Sequence, residues 1–531
     1  MHRDFPPEFL ALLQSKPHEP HLEELKRGHL TLLHLQRPFP GGREAYLPEN
    51  LNEHRLWQHE LQYHKWLFGL ARESLEKGED LALMANLLRD WLQTCRMGAA
   101  GFQHYAWNSY ALAERLKWWT ALQQLLPEDR WAPFGALKDD LLSSMQQQAE
   151  YLRRHLEWDL RGNHLLRDAV GLVVAGRLFE GAEARAWMDE GTRIGLAQAE
   201  EQILYDGGHF ERSPMYHVQV MEDFVLLALL ADDPPARQSF ARTWSRMAEF
   251  LLWVCHPDGD ISLLNDSALN KAGTPAGAIA AGRWIGQTVE PEPPRGGRHF
   301  DVTGLAVWRG EPWVVFFDVG PLGPDYQLGH AHADTLTFEC SFQGERFVVN
   351  PGVHSYDHDA RRAYDRSTRA HNTVCIDGAD SSEVWHIFRV GRRARPRGLR
   401  AEFTEAGVCA SASHTGYDHL PGRPRHTRSL AVQDGGSLRI DDRIEGKGRH
   451  AIEGGLLLAP GWGAVAAPGG WVVRRDGKEV RVRVEGPEGL ALREESRPYH
   501  PEYGIEIVTT RLTWAIEKEL PIEVRTVLEQ G

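Results

Sequence analysis

The spacing of apolar residues changes once along the chain, near residue 290, and this change limits the possible folds more than any other feature. Between residues 51 and 285, apolar residues recur at intervals of three to four, which predicts a series of amphipathic helices with short connections. After residue 299, short apolar runs are separated by glycine, aspartate or proline, a pattern typical of an antiparallel sandwich or barrel. We therefore predict an α+β multidomain protein in which a large helical domain precedes an antiparallel β-sheet domain.

The same pattern gives the domain boundaries. We place the helical domain at residues 51–285 and the sheet domain at residues 299–531. Residues 286–298 contain three prolines and no apolar period, so we interpret them as a linker. Residues 1–50 carry several prolines and a Pro-Gly-Gly break, and we expect them to form an N-terminal surface segment. No strict repeat period is visible, which argues against a solenoid of identical units but leaves an array of helical hairpins open.

The charge balance restricts the class of partner. The 531 residues carry 60 basic and 74 acidic side chains, a formal net charge of −14, which argues against a nucleic-acid partner. An acidic ligand would have to be bound by a local cluster of arginines or by a metal ion. No stretch approaches the roughly 18 apolar residues of a membrane span, so we expect no membrane partner. The chain is expected to be a monomer or a homodimer.

The cysteines and the N-terminus bear on the compartment. The five cysteines are scattered and lack metal-ligand spacing, so we expect reduced structural thiols. Residues 1–7 show no apolar signal region. We therefore expect a cytoplasmic protein, or a periplasmic or secreted one if an export signal has been removed.

Two histidines, His330 and His332, stand directly before an alternating run in which Leu336, Phe338 and Cys340 would share one face of a strand. Residues two apart on a strand point the same way, so the two imidazoles project side by side if the strand begins early enough. Imidazoles placed in this way suit proton transfer or metal binding near neutral pH. A pair of solvated or capping histidines in a loop is the competing interpretation.

Two further polar stretches precede helices of the first domain. Asn163 opens a strongly apolar helical run, where it would either cap the helix or donate a hydrogen bond to an anionic substrate group. Residues 206–217 combine two glycines with Arg212 and Tyr216 directly ahead of another helix. Arg212 suits bidentate binding of a carboxylate or sulfate, or an ordinary ion pair. Tyr216, in the first helical turn, also fits a partly buried amphipathic residue.

A third group of polar residues lies in the sheet domain. His332, Asn350 and His371 would supply two imidazoles and an oxygen to a metal ion if different strands brought them together. This signal is weak from spacing alone, because a chain with 26 histidines contains such clusters by chance.

Taken together and in this order, these motifs resemble those of the heparinase II/III family of polysaccharide lyases. The stretches concerned are Asn-His at 163–164, Gly-Gly-His-Phe-Glu-Arg-Ser-Pro-Met-Tyr-His at 207–217, Gly-His-Ala-His-Ala-Asp at 329–334 and Arg-Ser-Thr-Arg-Ala-His-Asn at 366–372. The resemblance covers residues 50–400 and extends to the domain plan. It implies an N-terminal (α/α) toroid of helical hairpins followed by a C-terminal antiparallel β-sandwich.

The resemblance also implies an activity. Members of this family cleave uronic-acid-containing polysaccharides by β-elimination and leave an unsaturated uronate. The expected substrate is a glycosaminoglycan, such as heparan sulfate, chondroitin or hyaluronan, or a bacterial exopolysaccharide. Donors directed at the enolate-like charge that develops in such a reaction usually supply the largest catalytic effect.

Roles for individual residues follow from the resemblance. Asn163 would neutralise the uronate carboxylate, and Tyr216 would protonate the departing O4 and, in one epimer class, also abstract the C5 proton. His330 would be the other base. Asn108 would line the cleft, although a helix-packing role fits it equally well. The other expected substrate-binding residues are His164, which would assist Asn163, His209, Arg212 and Arg369, with Arg115 as a further cation for anionic substituents.

A metal site is implied in the same way. In the family, the second histidine of the pair binds a metal with a downstream acidic residue and a further histidine, which correspond here to His332, Asn350 and His371. We therefore expect a structural divalent ion, Zn²⁺ or Mn²⁺. The neutral amide of Asn350 is a poorer ligand than the usual carboxylate, so we expect the site to be weak, altered or empty.

Two other functions remain open. An (α/α)-toroid glycoside hydrolase would need two carboxylic acids that flank the scissile bond. Glu211 and Asp334 are available, but the sequence does not place a second acid convincingly. A non-catalytic carbohydrate-binding protein would have no need of Asn163, Tyr216 and His330 together.

Overall fold

The structure is a computed structural model. It describes residues 5–16, 19, 21–269, 271–290, 292–404, 407–433 and 436–531. Most of its helices lie in the first half of the chain. The helices are α1 (Pro7–Gln14), α2 (Leu22–Lys26), α3 (Gly42–Tyr46), α4 (Arg55–Tyr63), α5 (Lys65–Lys77), α6 (Ala82–Thr94), α7 (Ser109–Leu125), α8 (Glu128–Trp131), α9 (Leu137–Arg154), α10 (Gly162–Leu178), α11 (Ala182–Gln202), α12 (Pro214–Leu230), α13 (Pro234–Val254), α14 (Pro275–Ala280) and α15 (Ala360–Asp365). Short 3-10 turns span Ala132–Phe134, Ala281–Ile285 and Thr368–Ala370.

Three helices, α7, α10 and α12, form the inner ring of the helical domain. Fifteen of the 17 residues of α10 are buried, against ten of the 21 residues of α11. A helix that is buried on all sides lies inside a fold, whereas an amphipathic helix covers it from outside. Helix α10 packs against α7, α11 and α12, while α9 packs on α7 and α13 on α12. These helical hairpins form the (α/α) toroid.

The strands form three antiparallel sheets and two hairpins. They are β1 (His29–Leu32), β2 (Leu35–Pro38), β3 (Gly296–Phe300), β4 (Leu305–Arg309), β5 (Trp313–Asp318), β6 (Phe338–Phe342), β7 (Glu345–Val348), β8 (Val374–Ile376), β9 (Val384–Trp385), β10 (Arg389–Val390), β11 (Pro396–Phe403), β12 (Val408–His414), β13 (Arg425–Gln433), β14 (Ser437–Glu445), β15 (Arg449–Leu457), β16 (Gly463–Ala467), β17 (Gly470–Arg475), β18 (Lys478–Glu485), β19 (Ala491–Tyr499), β20 (Ile507–Glu519) and β21 (Ile522–Gln530). The eight-stranded sheet has the order β11-β12-β13-β14-β21-β18-β17-β16, and the four-stranded sheet β19-β20-β15-β8. Strands β3 to β7 form a five-stranded sheet in chain order, and β1-β2 and β9-β10 are the hairpins.

The five-stranded sheet joins the two domains. All five residues of β4 are buried, and their side chains alternate between two cores. Val307 belongs to the core of the helical domain, whereas Trp308 belongs to the core of the sandwich. On the helical side, the ring of Phe300 lies 4.7 Å from that of Phe250 in α13. The sheet therefore has one face in each domain.

Residues 5–46 take a larger part in the fold than the predicted surface segment. Phe9, Leu13 and Leu30 are fully buried in the core of the helical domain, because α1 and the β1-β2 hairpin pack against the toroid. Residues 1–4, 17, 18 and 20 of that segment lie outside the described residues, as does Pro291 in the predicted linker. The last residues of that linker belong to β3.

The strand after His330 and His332 begins later than predicted. Strand β6 starts at Phe338, and Leu336 has a φ of 67°, which an extended strand does not allow. The two histidines therefore lie in a turn and are not carried side by side on a strand. The alternation in the sequence was misleading because Thr335 and Leu336 are both buried, although neither belongs to a strand.

None of the described helices is both long and apolar enough to cross a membrane. The five cysteines are free thiols, as predicted, and Cys409 alone among them is exposed.

Candidate active site

A cavity of about 960 Å³ lies where the toroid meets the sandwich, and it holds the centre of the predicted site. Helices α4, α5, α7, α10 and α12 line it from one side, and loops of the sheet domain from the other. The predicted residues in its lining are Asn108, Asn163, His164, Tyr216 and His330. A volume of this size is typical of a small-molecule or oligosaccharide site.

Tyr216 stands in the first turn of α12, where Ser213 fixes its backbone. The amide of Tyr216 donates to Ser213 Oγ at 3.2 Å, which caps the helix. Its hydroxyl lies 3.1 Å from the hydroxyl of Tyr356, which accepts a hydrogen bond from Tyr503 at 2.8 Å. Burial raises the pKa of Tyr216 well above its ordinary value near 10, so the phenol is protonated at neutral pH.

His330 lies against Tyr216, with the centres of the two rings 4.1 Å apart. Its Nδ1 lies 3.0 Å from Asp266 Oδ2, and a carboxylate can only accept here, so Nδ1 carries a proton. Nε2 lies 3.4 Å from Glu211 Oε2, beyond the usual range of a hydrogen bond. Nε2 is therefore the nitrogen left to exchange a proton with a substrate.

Asp266 is a fully buried carboxylate that orients the histidines. Arg362 binds both of its oxygens, with 2.8 Å between Nη2 and Oδ2, and His332 Nε2 lies 2.8 Å from Oδ1. Burial alone would raise the pKa of Asp266, but Arg362 and the imidazoles hold it well below its ordinary value. Asp266 is therefore ionised and fixes the tautomer of His330.

Asn163 is held by Glu211 and is the second residue of α10, not its N-cap. Its backbone amide donates to Glu211 Oε1 at 2.8 Å, so the carboxylate of another segment caps the helix. Its Nδ2 lies 3.1 and 3.2 Å from the two oxygens of Glu211. These nearly equal distances fit one shared N–H, which leaves the second N–H for a ligand. A Cβ on Gly162 would lie 2.3 Å from Glu211 Oε1, so this approach requires glycine.

The buried cluster that could hold a metal ion differs from the predicted set of ligands. Ligand atoms of His332, Asp334 and His371 lie within 4.8 Å of one another, and all three residues are buried. Asn350 instead accepts a hydrogen bond from Thr337 Oγ1 at 2.8 Å. The carboxylate beside the two imidazoles is therefore that of Asp334, because the chain after His332 bends back towards them.

Two of the predicted substrate-binding residues face the cavity with part of their polar atoms engaged. Asn108 Oδ1 accepts from the Ala111 amide at 3.4 Å and caps α7, so Asn108 combines the capping role with a place in the lining. His164 Nδ1 lies 3.1 Å from Glu157 Oε2, and its ring lies 4.8 Å from that of Tyr110.

The three arginines predicted to bind anionic substituents lie outside the cavity lining, and each contacts other groups of the protein. Arg115 is fully buried and donates to Gln148 and to the carbonyls of Gln62 and Ala106. Arg212 donates to the carbonyls of Phe210, Val302 and Thr303, and so ties the toroid to the sheet domain. Arg369 is half exposed on the sandwich and pairs with Glu453.

His209 is likewise a positioning residue in this structure and does not line the cavity. Its Nε2 lies 3.0 Å from Gln202 Oε1, and Gln202 Nε2 donates to the Gly162 carbonyl at 2.7 Å. Burial lowers the pKa of His209 to about 4, so it is neutral at physiological pH. His209 therefore supports the start of α10, one residue before Asn163.

The sequence analysis missed Asp266, Tyr356 and Tyr503, and considered Glu211 only as a hydrolase acid. Asp266 has a weak signal, a buried Asn-Asp-Ser triplet between two helices. Tyr356 and Tyr503 lie 140 and 287 residues from Tyr216, and no local pattern connects them with it.

Comparisons with known proteins cover both domains. Residues 45–276 match the family model "Heparinase II/III N-terminus", and residues 292–526 match "Heparinase II/III-like, C-terminal". The heparin-sulfate lyase of Bacteroides stercoris is 23% identical over 498 residues, which cover 85% of this chain and 71% of the relative. That of Pedobacter heparinus is 26% identical over 263 residues, which cover 45% of this chain and 39% of the relative.

Solved structures agree in fold. The crystal structure of heparinase III has a TM-score of 0.78 at 18% identity and covers 99% of this chain and 85% of that chain. A chondroitinase AC lyase has a TM-score of 0.54 at 11% identity and covers 98% of this chain and 82% of that chain. The two family models together span both the toroid and the sandwich, and the chain therefore belongs to the heparinase II/III family.

Proposed function

We propose that the chain is a polysaccharide lyase that cleaves a uronic-acid-containing glycosaminoglycan in the cavity between its two domains. The relatives named heparin-sulfate lyase support an enzyme that acts by β-elimination. One observation carries the proposal: Asn163, Tyr216 and His330 come from three separate segments and line one cavity.

The geometry suits the proton transfers of an elimination. A base takes the C5 proton of the uronate, the electrons of that bond form the C4–C5 double bond, and O4 leaves with a proton. Tyr216 enters protonated and supplies the proton to O4, while His330 Nε2 receives the C5 proton. In the epimer class in which Tyr216 is also the base, it would enter as the phenolate, take the C5 proton and pass that proton on to O4. The free N–H of Asn163 binds the uronate carboxylate as enolate character develops.

A chain of phenols stands behind the acid. Tyr503 donates to Tyr356, whose hydroxyl is within hydrogen-bond distance of Tyr216. When Tyr216 has given its proton to O4, Tyr356 can stabilise the phenolate and return a proton. Tyr356 and Tyr503 both line the cavity, so product release opens this chain to water.

The competing functions fit the site less well. A glycoside hydrolase needs two carboxyl groups beside the scissile bond. Glu211 is buried behind Asn163, and Asp334 lies beside His332 and His371, away from the cavity lining. A non-catalytic carbohydrate-binding protein would not need Tyr216 in contact with His330, nor a buried Asp266 that orients His330.

The test is the ultraviolet absorbance of the unsaturated uronate during incubation with a panel of heparan sulfate, heparin, chondroitin, dermatan, hyaluronan and alginate. We expect a rise on at least one polymer. New reducing ends without this absorbance would indicate hydrolysis and would contradict the proposed reaction. Boiled protein and the Tyr216→Phe variant serve as controls for spontaneous elimination.

A divalent metal ion fits the residues around His332. His332 Nε2 bonds to Asp266 and His371 Nδ1 donates to the Ser367 carbonyl, so the free lone pairs of both neutral rings face each other at 3.2 Å. Two nitrogens on a tetrahedral zinc are about 3.3 Å apart. Asp334 Oδ2 is buried and has no hydrogen-bond partner among the described residues. We propose that these three residues hold Zn²⁺ or Mn²⁺ as a structural ion.

Elemental analysis of the purified protein checks this proposal. We expect about one zinc or manganese ion per chain, because two imidazoles and a carboxylate are a common ligand set. Asp334→Asn should lose most of the ion, whereas Asn350→Ser should retain it. If Asp334→Asn kept the metal ion and Asn350→Ser lost it, Asn350 would be the ligand in place of Asp334. A wild-type protein without bound metal would refute the proposed site.

A further inference from the structure

We propose that an apolar rim at the mouth of the cavity, formed by Trp158, Leu160, Trp385 and Phe388, binds the apolar face of a sugar ring of the polysaccharide next to the catalytic centre. The inference rests on the proposed function, since it takes a polysaccharide as the occupant. It adds a substrate-binding subsite on two segments that the sequence motifs do not include.

All four side chains of the rim are exposed. Trp158 is 50% exposed, Trp385 56%, Leu160 41% and Phe388 37%. Exposed apolar side chains that gather on neighbouring segments commonly mark a binding site, whereas scattered ones do not. Leu160 and Phe388 also line the cavity, so the rim continues the wall of the catalytic site. The ligand that reaches the rim is therefore the chain that occupies the cavity.

On the sandwich side, two buried arginines hold the β9-β10 hairpin rigid. Arg366 donates to the carbonyls of His386, Ile387 and Arg389 at 3.1 Å each. Arg362 donates to the Ile387 carbonyl at 2.9 Å. Ile387 is buried, while its neighbours Trp385 and Phe388 remain exposed. The backbone is thus fixed from within, so that only the side-chain rotamers of the exposed rings remain to be ordered when a ligand binds.

The same arginine connects this hairpin with the catalytic histidine. Arg362 binds Asp266, which also contacts His330 Nδ1. The ring of Phe388 lies 6.1 Å from that of His330 and 5.0 Å from that of Tyr356. A sugar ring on Phe388 is therefore directly next to the residues that transfer protons.

On the toroid side, the turn that carries Trp158 and Leu160 is also anchored. The Glu157 amide donates to Asp168 Oδ2 at 2.8 Å, and the Glu157 carbonyl accepts from the amides of Leu160 and Arg161. This turn leads directly into α10 and Asn163. Each half of the rim therefore adjoins a residue of the proposed uronate site, with Asn163 on the toroid side and His330 on the sandwich side.

Sugar rings carry an apolar face of C–H groups, and aromatic side chains supply a large, rigid surface for it. This recognition does not depend on charge. It complements a cavity in which Lys16, Arg167 and Lys271 are already paired with acidic side chains. The rim would therefore raise affinity for a longer chain without selecting its sulfation.

The test compares substrate lengths. Steady-state kinetics of Trp158→Ala, Trp385→Ala and the double variant are measured with the polymer that the absorbance panel identifies and with its tetrasaccharide. We expect KM for the polymer to rise about tenfold in the double variant, with a smaller rise for the tetrasaccharide. Val465→Ala, a 60% exposed side chain on β16 at the edge of the eight-stranded sheet, is the matched control and should keep both values. Equal KM values for the double variant and the control would overturn the inference.

A binding measurement separates this inference from the proposed reaction. In the Tyr216→Phe background, mobility in gels that contain heparan sulfate reports binding without turnover. Suppose that the double rim variant is retarded less and that the wild-type protein, with its native Tyr216, produces no absorbance on any polymer. This result would support the rim and overturn the lyase activity. Unchanged retardation of the double rim variant, together with elimination by the wild-type protein, would overturn the rim and support the lyase activity.

Discussion

Replacing Tyr216 by phenylalanine is expected to lower kcat by at least about 100-fold, because the variant cannot protonate the departing O4. The phenol is buried and its pKa is raised well above 10, so it holds its proton throughout the neutral range. As an acid it should lose activity only when the pH rises above that raised pKa. The measurement is the initial rate of uronate absorbance on the polymer that the panel identifies.

The substitution should leave the fold intact. It removes one hydroxyl that bonds to Tyr356, and a single hydrogen bond contributes about 0.5–1.5 kcal/mol. Circular dichroism and denaturant unfolding check this point. Tyr205→Phe is the matched control, because Tyr205 is 89% exposed and lies outside the cavity lining; it should keep the wild-type rate. A Tyr216→Phe protein with more than about a tenth of the wild-type kcat would exclude Tyr216 as the acid.

Replacing His330 by alanine is expected to lower kcat by a similar factor of at least about 100 when His330 is the base for the chosen substrate. The partner Asp266 stays neutralised after the loss of the imidazole, because Arg362 still binds both of its oxygens. The fold should therefore tolerate the change. The space left beside Tyr216 should admit free imidazole, and added imidazole should restore part of the rate.

This rescue distinguishes a proton-transfer role from a structural one. A merely structural histidine would leave a destabilised protein that imidazole does not reactivate. His419→Ala, at an exposed histidine on the sandwich, is the control and should behave as the wild type with and without imidazole. If His330→Ala is inactive only on substrates of one C5 epimer, Tyr216 must act as the base on the other epimer, as the family resemblance implies.

The helical part of the fold could be predicted closely because burial imposes a period on the sequence. We predicted a helix with Tyr216 in its first turn, and α12 spans Pro214–Leu230. The strand after the two histidines was placed too early, because an apolar alternation cannot reveal a residue with positive φ such as Leu336. Leu336 and Phe338 are buried, but so are Thr335 and Thr337, so the alternation indicated neither an exposed face nor the start of the strand.

The candidate site could be predicted only where its residues belong to local motifs. Asn163, Tyr216 and His330 lie in such motifs, and the structure brings all three to one cavity. The cations were misjudged, since the partners of Arg115 and Arg212 are mainly backbone carbonyls, which any sequence contains and no pattern marks. Asp266 and Tyr356 were missed because folding alone brings them beside His330 and Tyr216.

The sheet formed by β3 to β7 has a consequence for how the protein loses its structure. Because Val307 and Trp308 lie in different cores, melting either domain would expose one apolar face of the same sheet. We expect the toroid and the sandwich to denature together in one cooperative transition, although chains of this length often unfold in steps. For the same reason, a chimera with the helical domain of a relative would need a sheet of β3 to β7 whose apolar face packs against that domain.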